Sequence, residues 1–239
     1  EAPRSGNADS ESRRLLSEAL GCLGRRDPEG AQRAFDGYLA RLDPREHALY
    51  RDLRWIVGKD EAARSDTRGE GVIRRYWNLR DPTPMSEVNE RLVEHYRRVA
   101  YSRAQFGEVV FPWDRRGDIY VRYGEPDHVG KSDDVRFETD PSVIAVKDRF
   151  LRAVDSAAGD LLIDLTAPSP RRDRYRRMEV PVRHTSEIRG RPTYPVRPGI
   201  RWEYWIYTEL GGGIEFTFTD ELGNGQYGYA PVPYDLPLT

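Results

Sequence analysis

Cysteine is almost missing from this chain: Cys22 is the only one among 239 residues. That excludes an intramolecular disulfide framework and a thiolate metal site. Lysine is nearly as rare. Of 38 basic residues three are lysine (Lys59, Lys131 and Lys147), which leaves 35 arginines. No stretch approaches the ~18–20 apolar residues of a membrane helix, so the sequence holds no transmembrane segment of its own. An excess of one charge is absent too. The 38 basic and 40 acidic residues leave a net charge of -2, which argues against a general nucleic-acid binder. The four histidines (His47, His95, His128, His184) show neither His-x-x-x-His nor His-Glu-x-x-His spacing. No metal site and no cofactor ligand set is visible.

What is present is a polar chain of one to two domains, 38% hydrophobic and 33% charged, with a mean hydropathy of -0.77. The arginine bias is what a GC-rich coding sequence produces. Its physical consequence holds regardless, because a guanidinium pairs bidentately with carboxylates and stacks on aromatic rings. The chain offers 40 acids and 26 aromatics (five Trp, 14 Tyr, seven Phe) for such contacts. The opening Glu1-Ala2-Pro3 lacks an initiator Met and an apolar h-region. It reads as a mature or trimmed end, with any signal peptide upstream. Ala19-Leu20-Gly21-Cys22 faintly resembles a lipidation box without the apolar run before it, so Cys22 is read as a small helix-core residue.

Residues 10–107 read as helices. Leu15, Leu16, Ala19, Leu20 and Leu23 fall at helical period. Asp27-Pro28 and Asp43-Pro44 each supply an N-cap followed by a first-turn proline, and Glu46 occupies the capping-box position. Ala31, Ala34, Phe35, Tyr38 and Leu39 make the packing face between those starts. The hairpins are helical-repeat-like, with a plain bundle as the alternative. Gly69 and Gly71 loosen the chain before a helix over 72–79, and Asp81-Pro82-Thr83-Pro84 stops it. Ser86 is the expected N-cap of a long helix over 86–106. Period-two patterning then predicts strands over 118–123, 135–137, 161–165, 202–207, 214–218 and 226–230, with a helix over 142–154. Residues 166–200 read as a long Pro/Arg-rich loop. The expected fold class is α+β: N-terminal helical hairpins or a bundle in 1–68, then an α+β domain in 69–239. That domain carries a small antiparallel β-sheet, long Pro/Arg-rich loops and an extended C-terminal tail.

Several motifs share one order. Tyr76-Trp77-Asn78-Leu79-Arg80-Asp81-Pro82-Thr83-Pro84 precedes Asn89-Glu90 and Tyr96-Arg97-Arg98, then Arg116-Gly117-Asp118-Ile119-Tyr120-Val121-Arg122-Tyr123-Gly124-Glu125-Pro126-Asp127. Trp202-Glu203-Tyr204 and Asp220-Glu221-Leu222-Gly223-Asn224-Gly225-Gln226-Tyr227 follow. This order resembles the GWxTD-domain family of bacterial, largely extracytoplasmic proteins, over about residues 72–230. The eponymous motif is altered here to Phe111-Pro112-Trp113-Asp114-Arg115, with the Trp displaced and the Thr absent. The family resemblance implies compartment and fold and brings no established catalytic activity. Read from the residues, Asp81 closes an Asx turn. Arg80 and Arg116 are candidates to pair with carboxylates such as Glu90. Gly124 takes a positive φ before Pro126. The junction is a hinge or, alternatively, the wall of a binding groove.

The candidate chemistry is sparse. Asp127-His128, with Glu125, Asp114 and Asp118 counted as neighbours, is the one place to look for a hydrolase or small-ligand site. Gly223-Asn224-Gly225-Gln226-Tyr227-Gly228 spells a dinucleotide fingerprint but lacks the following helix that would hold a pyrophosphate, so it reads as a hairpin turn. Arg116-Gly117-Asp118 is set aside as a cell-adhesion tripeptide because it enters a strand. Arg171, Arg172, Arg174, Tyr175, Arg176 and Arg177 put five arginines and one tyrosine into seven residues, suited to an acidic protein face or to anionic lipid headgroups. Tyr229, Pro231, Pro233, Tyr234 and Leu236 form a tail suited to strapping along another subunit.

The expectation is therefore a non-catalytic, membrane-extrinsic interaction subunit on the periplasmic or outer-surface side. It would clamp protein subunits of a larger complex, such as a photosynthetic reaction-centre and antenna assembly. No cofactor and no nucleic acid is expected. The alternatives are the hydrolase or ligand site at Asp127/His128 and a peptide-binding helical-repeat adaptor using residues 10–58.

Overall fold

The computed structural model describes residues 5–57, 69–108, 110–164, 189–193 and 196–231. Among these, seven α-helices, six of them before residue 124, precede or flank a four-stranded antiparallel sheet, which makes the chain α+β. It divides into two compact units, Glu1–Gly124 and Glu125–Thr239. The break between these units falls at Gly124, whereas the sequence reading divides the chain at 68/69. The reason is that the helices after residue 69 share their core with those before 58. No helix is long and apolar enough to cross a membrane among the described residues.

In the first unit α1 (Ser5–Gly24) and α2 (Pro28–Leu39) form an antiparallel hairpin. Gly30 lies against Cys22 and Gly37 against Leu15, so the two backbones approach closely at both ends. Asp27 accepts the Gly30 N–H at 2.8 Å and caps α2. Asp43 caps α3 (Pro44–Arg51) by accepting from the N–H groups of Arg45 and Glu46. The Glu46 half of the expected capping box is used elsewhere: its carboxylate takes Arg103 at 2.7 Å. After a 3-10 turn at Leu53–Trp55 come α4 (Glu70–Asn78), α5 (Glu90–Phe106) and α6 (Arg115–Tyr123).

The central helix is α5. Its Tyr96 ring packs between Phe35 of α2 at 5.7 Å and Tyr50 of α3 at 6.0 Å. Phe35, Tyr50, Val93 and Val99 are fully buried, and each such side chain contributes roughly 1.5–3 kcal/mol of burial. Cys22 is buried in the same core, as a small helix residue should be.

Two expectations are corrected here. The N-cap of α5 is Asn89, not Ser86: Asn89 Oδ1 accepts the Leu92 N–H at 3.0 Å, while Ser86 Oγ donates to the Val88 carbonyl. Residues 118–123 are not a strand but most of α6. Asp114 caps that helix through the Arg116 N–H at 2.9 Å. Trp113, Gly117, Tyr120 and Val121 are buried at helical spacing, which overrides the β-propensity of Ile-Tyr-Val. Gly117 is required because a Cβ there would meet the Trp113 ring at 2.4 Å.

In the second unit β1 (His128–Lys131), β2 (Arg201–Tyr207), β3 (Ile214–Asp220) and β4 (Gly228–Tyr229) pair in sequence order. Gly130 stands opposite Tyr204, whose ring fills the space a side chain would take. Trp205 pairs with Phe216 across β2 and β3, and Phe218 with Tyr229 across β3 and β4. The glycine turns fit as read. Residues 211–213 join β2 to β3, and Asp220 accepts the N–H groups of Asn224 and Gly225 between β3 and β4. Helix α7 (Pro141–Asp164) covers one sheet face, its Val143 and Val146 packed on Trp202, Tyr204 and Ile206. It extends well past 154, so 161–164 are helix and not strand. Residues 135–137 are irregular.

Candidate functional site

Several motif residues of the first unit, Tyr76, Trp77, Arg80, Arg98, Val121 and Arg122, meet at one cleft. Helix α4 stops at Asn78, and Asp81 then accepts the Thr83 N–H at 2.9 Å in the expected Asx turn. Asn89 ties the two helices together: its amide donates to the Trp77 carbonyl at 2.8 Å while its oxygen caps α5. This places Tyr76, Trp77 and Arg80 beside α5. The C-terminal turn of α6 closes the far wall, where Arg122 donates to the Val57 carbonyl.

The cleft between these elements has a volume of about 300 Å³. Four arginines line it: Arg80, Arg91, Arg98 and Arg122. Arg80 does not pair with Glu90 as expected; its guanidinium lies 3.8 Å from the Tyr76 ring centroid. Arg98 donates to Glu94 and to the Arg122 carbonyl. Glu94 is the one carboxylate in the wall. Burial pushes its carboxyl up, but hydrogen bonds from Arg97 and Arg98 outweigh this and hold it below the usual range. His95 is buried. Its Nε2 bonds the Tyr50 carbonyl at 3.0 Å and its ring lies 5.0 Å from that of Trp77. Burial pulls its pKa down to about 4, so it adds no charge near neutrality. Four guanidiniums thus face one carboxylate that is already paired.

Arg116, the other predicted ion-pair former, meets the buried Asp114 at 2.7 Å. Asp118 accepts from the Trp113 indole at 3.0 Å and pairs with Arg115. Asp114 and Asp118 are thus committed within the first unit. In the second unit Asp127 accepts the N–H and Oγ1–H of Thr208, while His128 bonds the Tyr204 hydroxyl at 3.2 Å. The two neighbours in sequence act separately, and no imidazole–carboxylate pair forms between them.

Tyr204 belongs to a buried network that sequence reading missed. Glu138 and Lys147 pair at 2.5 Å, both essentially without solvent exposure. Glu138 also receives the Tyr204 hydroxyl on Oε1 and the Gly190 N–H on Oε2 at 2.9 Å. Lys147 also donates to the Arg191 carbonyl and lies 4.4 Å from the Tyr204 ring centroid. Burial would raise the Glu138 carboxyl, but the bonds from Lys147 and Tyr204 outweigh it. Because Tyr204 gives its proton to Glu138, its oxygen is left to accept, which makes His128 Nε2 the donor. Burial lowers the His128 pKa and keeps that ring neutral. A helical wheel of α7 could have found Lys147, since it falls on the inward stripe with Val143, Val146 and Phe150.

Of the predicted contact residues, Tyr229 is half exposed and its ring stacks on Phe218 at 5.9 Å, and Pro231 is exposed. Arg171, Arg172, Arg174, Tyr175, Arg176, Arg177, Pro233, Tyr234 and Leu236 lie outside the described residues. No protein-family model, curated protein or solved structure matches the chain. Among the described residues no group of three or more His, Cys, Asp or Glu side chains comes together to hold a metal ion.

Proposed function

We propose that this protein is a non-catalytic, membrane-extrinsic interaction subunit of GWxTD type. It acts on the periplasmic or outer-surface side and clamps the chains of a larger membrane complex, for which a photosynthetic reaction-centre and antenna assembly is a suitable host. The observation that carries this reading is the loop over 79–86. Leu79 is 72% and Met85 99% exposed. Isolated exposed apolar residues are ordinary, but this loop is held stiff. Pro82 and Pro84 fix two φ angles, Asp81 closes its turn, and Ser86 donates to the Thr83 carbonyl at 2.8 Å. An apolar tip presented on a preorganised loop loses little entropy on binding.

The second support is chemical. His95, Glu138 and Lys147 each spend their hydrogen bonds inside the fold, as a structural group does, and Asp127 does not orient His128. In this reading the segment 171–177 and the tail from Tyr229 supply further contacts, to acidic protein faces or anionic headgroups.

The test is affinity purification from gently solubilised membranes, comparing wild type with the double variant Leu79→Ser/Met85→Ser. A fixed set of membrane subunits should accompany the wild type in constant stoichiometry and fall at least tenfold with the variant. Recovery of the wild type alone, as a monomer, would overturn the proposal.

A further inference from the structure

We propose that the arginine-lined cleft of the first unit is a binding site for a small polyanion, held through its phosphate or carboxylate oxygens. This is a ligand site in its own right and does not rest on the clamp reading.

The charge is the first reason. Among the described residues Arg80, Arg91 and Arg122 have no carboxylate partner: Arg80 lies over Tyr76, and Arg122 donates to a backbone carbonyl. Elsewhere among the described residues a number of arginines are paired with carboxylates, as Arg97, Arg103 and Arg116 are. Concentrating unpaired guanidiniums along one concave wall costs electrostatic repulsion that an anion relieves.

The second reason is unsatisfied donors. Arg122 Nε and Trp77 Nε1 are buried and have no hydrogen-bond partner, although Trp77 is only 6% exposed. Both residues line the cleft. Buried donors in native proteins are nearly always paired, so each exception calls for an explanation. Guanidinium and indole nitrogens can only donate. A cleft lined by such donor-only groups therefore calls for a ligand rich in acceptors, and an oxyanion matches the planar fork of the exposed Arg80 and Arg91. The volume, about 300 Å³, is at the small end for ligand sites. It suits a compact anion and excludes a dinucleotide.

Calorimetric titration of the full chain with pyrophosphate, and separately with tricarballylate, tests the site. Arg80 and Arg91 are both exposed, so the double variant Arg80→Gln/Arg91→Gln keeps the fold, which circular dichroism verifies. We expect saturable one-to-one binding of at least one probe, weakened at least tenfold in the variant. Binding of pyrophosphate alone assigns a phosphate ligand, and of tricarballylate alone a carboxylate ligand. No saturable binding of either, or equal affinity in the variant, would overturn the proposal.

Discussion

The guanidinium of Arg98 occupies the space that a side chain at Gly124 would need: a Cβ there would come within 2.8 Å of Arg98 Nη2. Gly124 also sits at φ 86, ψ -153, a conformation essentially restricted to glycine. Its N–H donates to the Tyr120 carbonyl and ends α6. One glycine therefore terminates a helix and admits an arginine into the cleft wall.

Gly124→Ala should lower stability by about 1–3 kcal/mol from backbone conformation alone, with the clash against Arg98 added. Urea denaturation of Gly124→Ala and of Gly124→Ala/Arg98→Ala measures both parts. The second substitution should recover the clash and leave the backbone cost.

His95 makes stability depend on pH in a defined direction. Its folded pKa of about 4 lies below the unfolded value near 6.5. Below pH 6.5 the unfolded chain takes up a proton that the folded one refuses. Stability is thus fully present above pH 6.5, is lost as pH falls, and levels off near pH 4. The loss amounts to roughly 3 kcal/mol. His128 is shifted in the same direction, so the comparison is wild type against His95→Gln. The difference in unfolding free energy between them should change across pH 6.5 to 4 and be flat above it.

Lys147 and Glu138 are a pair to be removed together or not at all. Lys147→Met leaves a buried carboxylate uncompensated and should cost about 3–5 kcal/mol. Lys147→Met/Glu138→Gln should recover part of that loss. Chemical denaturation of the wild type, Lys147→Met, Glu138→Gln and the double variant gives the coupling directly.

The helical half was legible where caps and periodicity agreed. Asp27-Pro28 and Asp43-Pro44 both start helices, and the β2–β3 hairpin follows from alternation and the Gly211–Gly213 turn. Residues 118–123 misled because Ile119, Tyr120 and Val121 favour a strand locally. The decisive signal was outside them: an acid at 114 to cap and a glycine at 124 to stop. Ser86 lost to Asn89 because asparagine could both cap α5 and reach the Trp77 carbonyl. The cleft was half visible. Arg80, Trp77, Arg98 and Arg122 stood out as motif members, but Arg91 did not, and none of them was read as lining a shared anion site. Their convergence depends on α6 being a helix. The Glu138–Lys147 network joins residues nine apart through a loop and a helix start, a separation that no periodic pattern marks.

Lys147 has one more use. Its amine is sealed between Glu138, the Arg191 carbonyl and the Tyr204 ring, so acylating reagents can reach it only when the sheet unit opens. In a chain with three lysines, the mass tag at that position counts opening events. The rate at which the tag accumulates is a clock for the breathing of this half of the molecule.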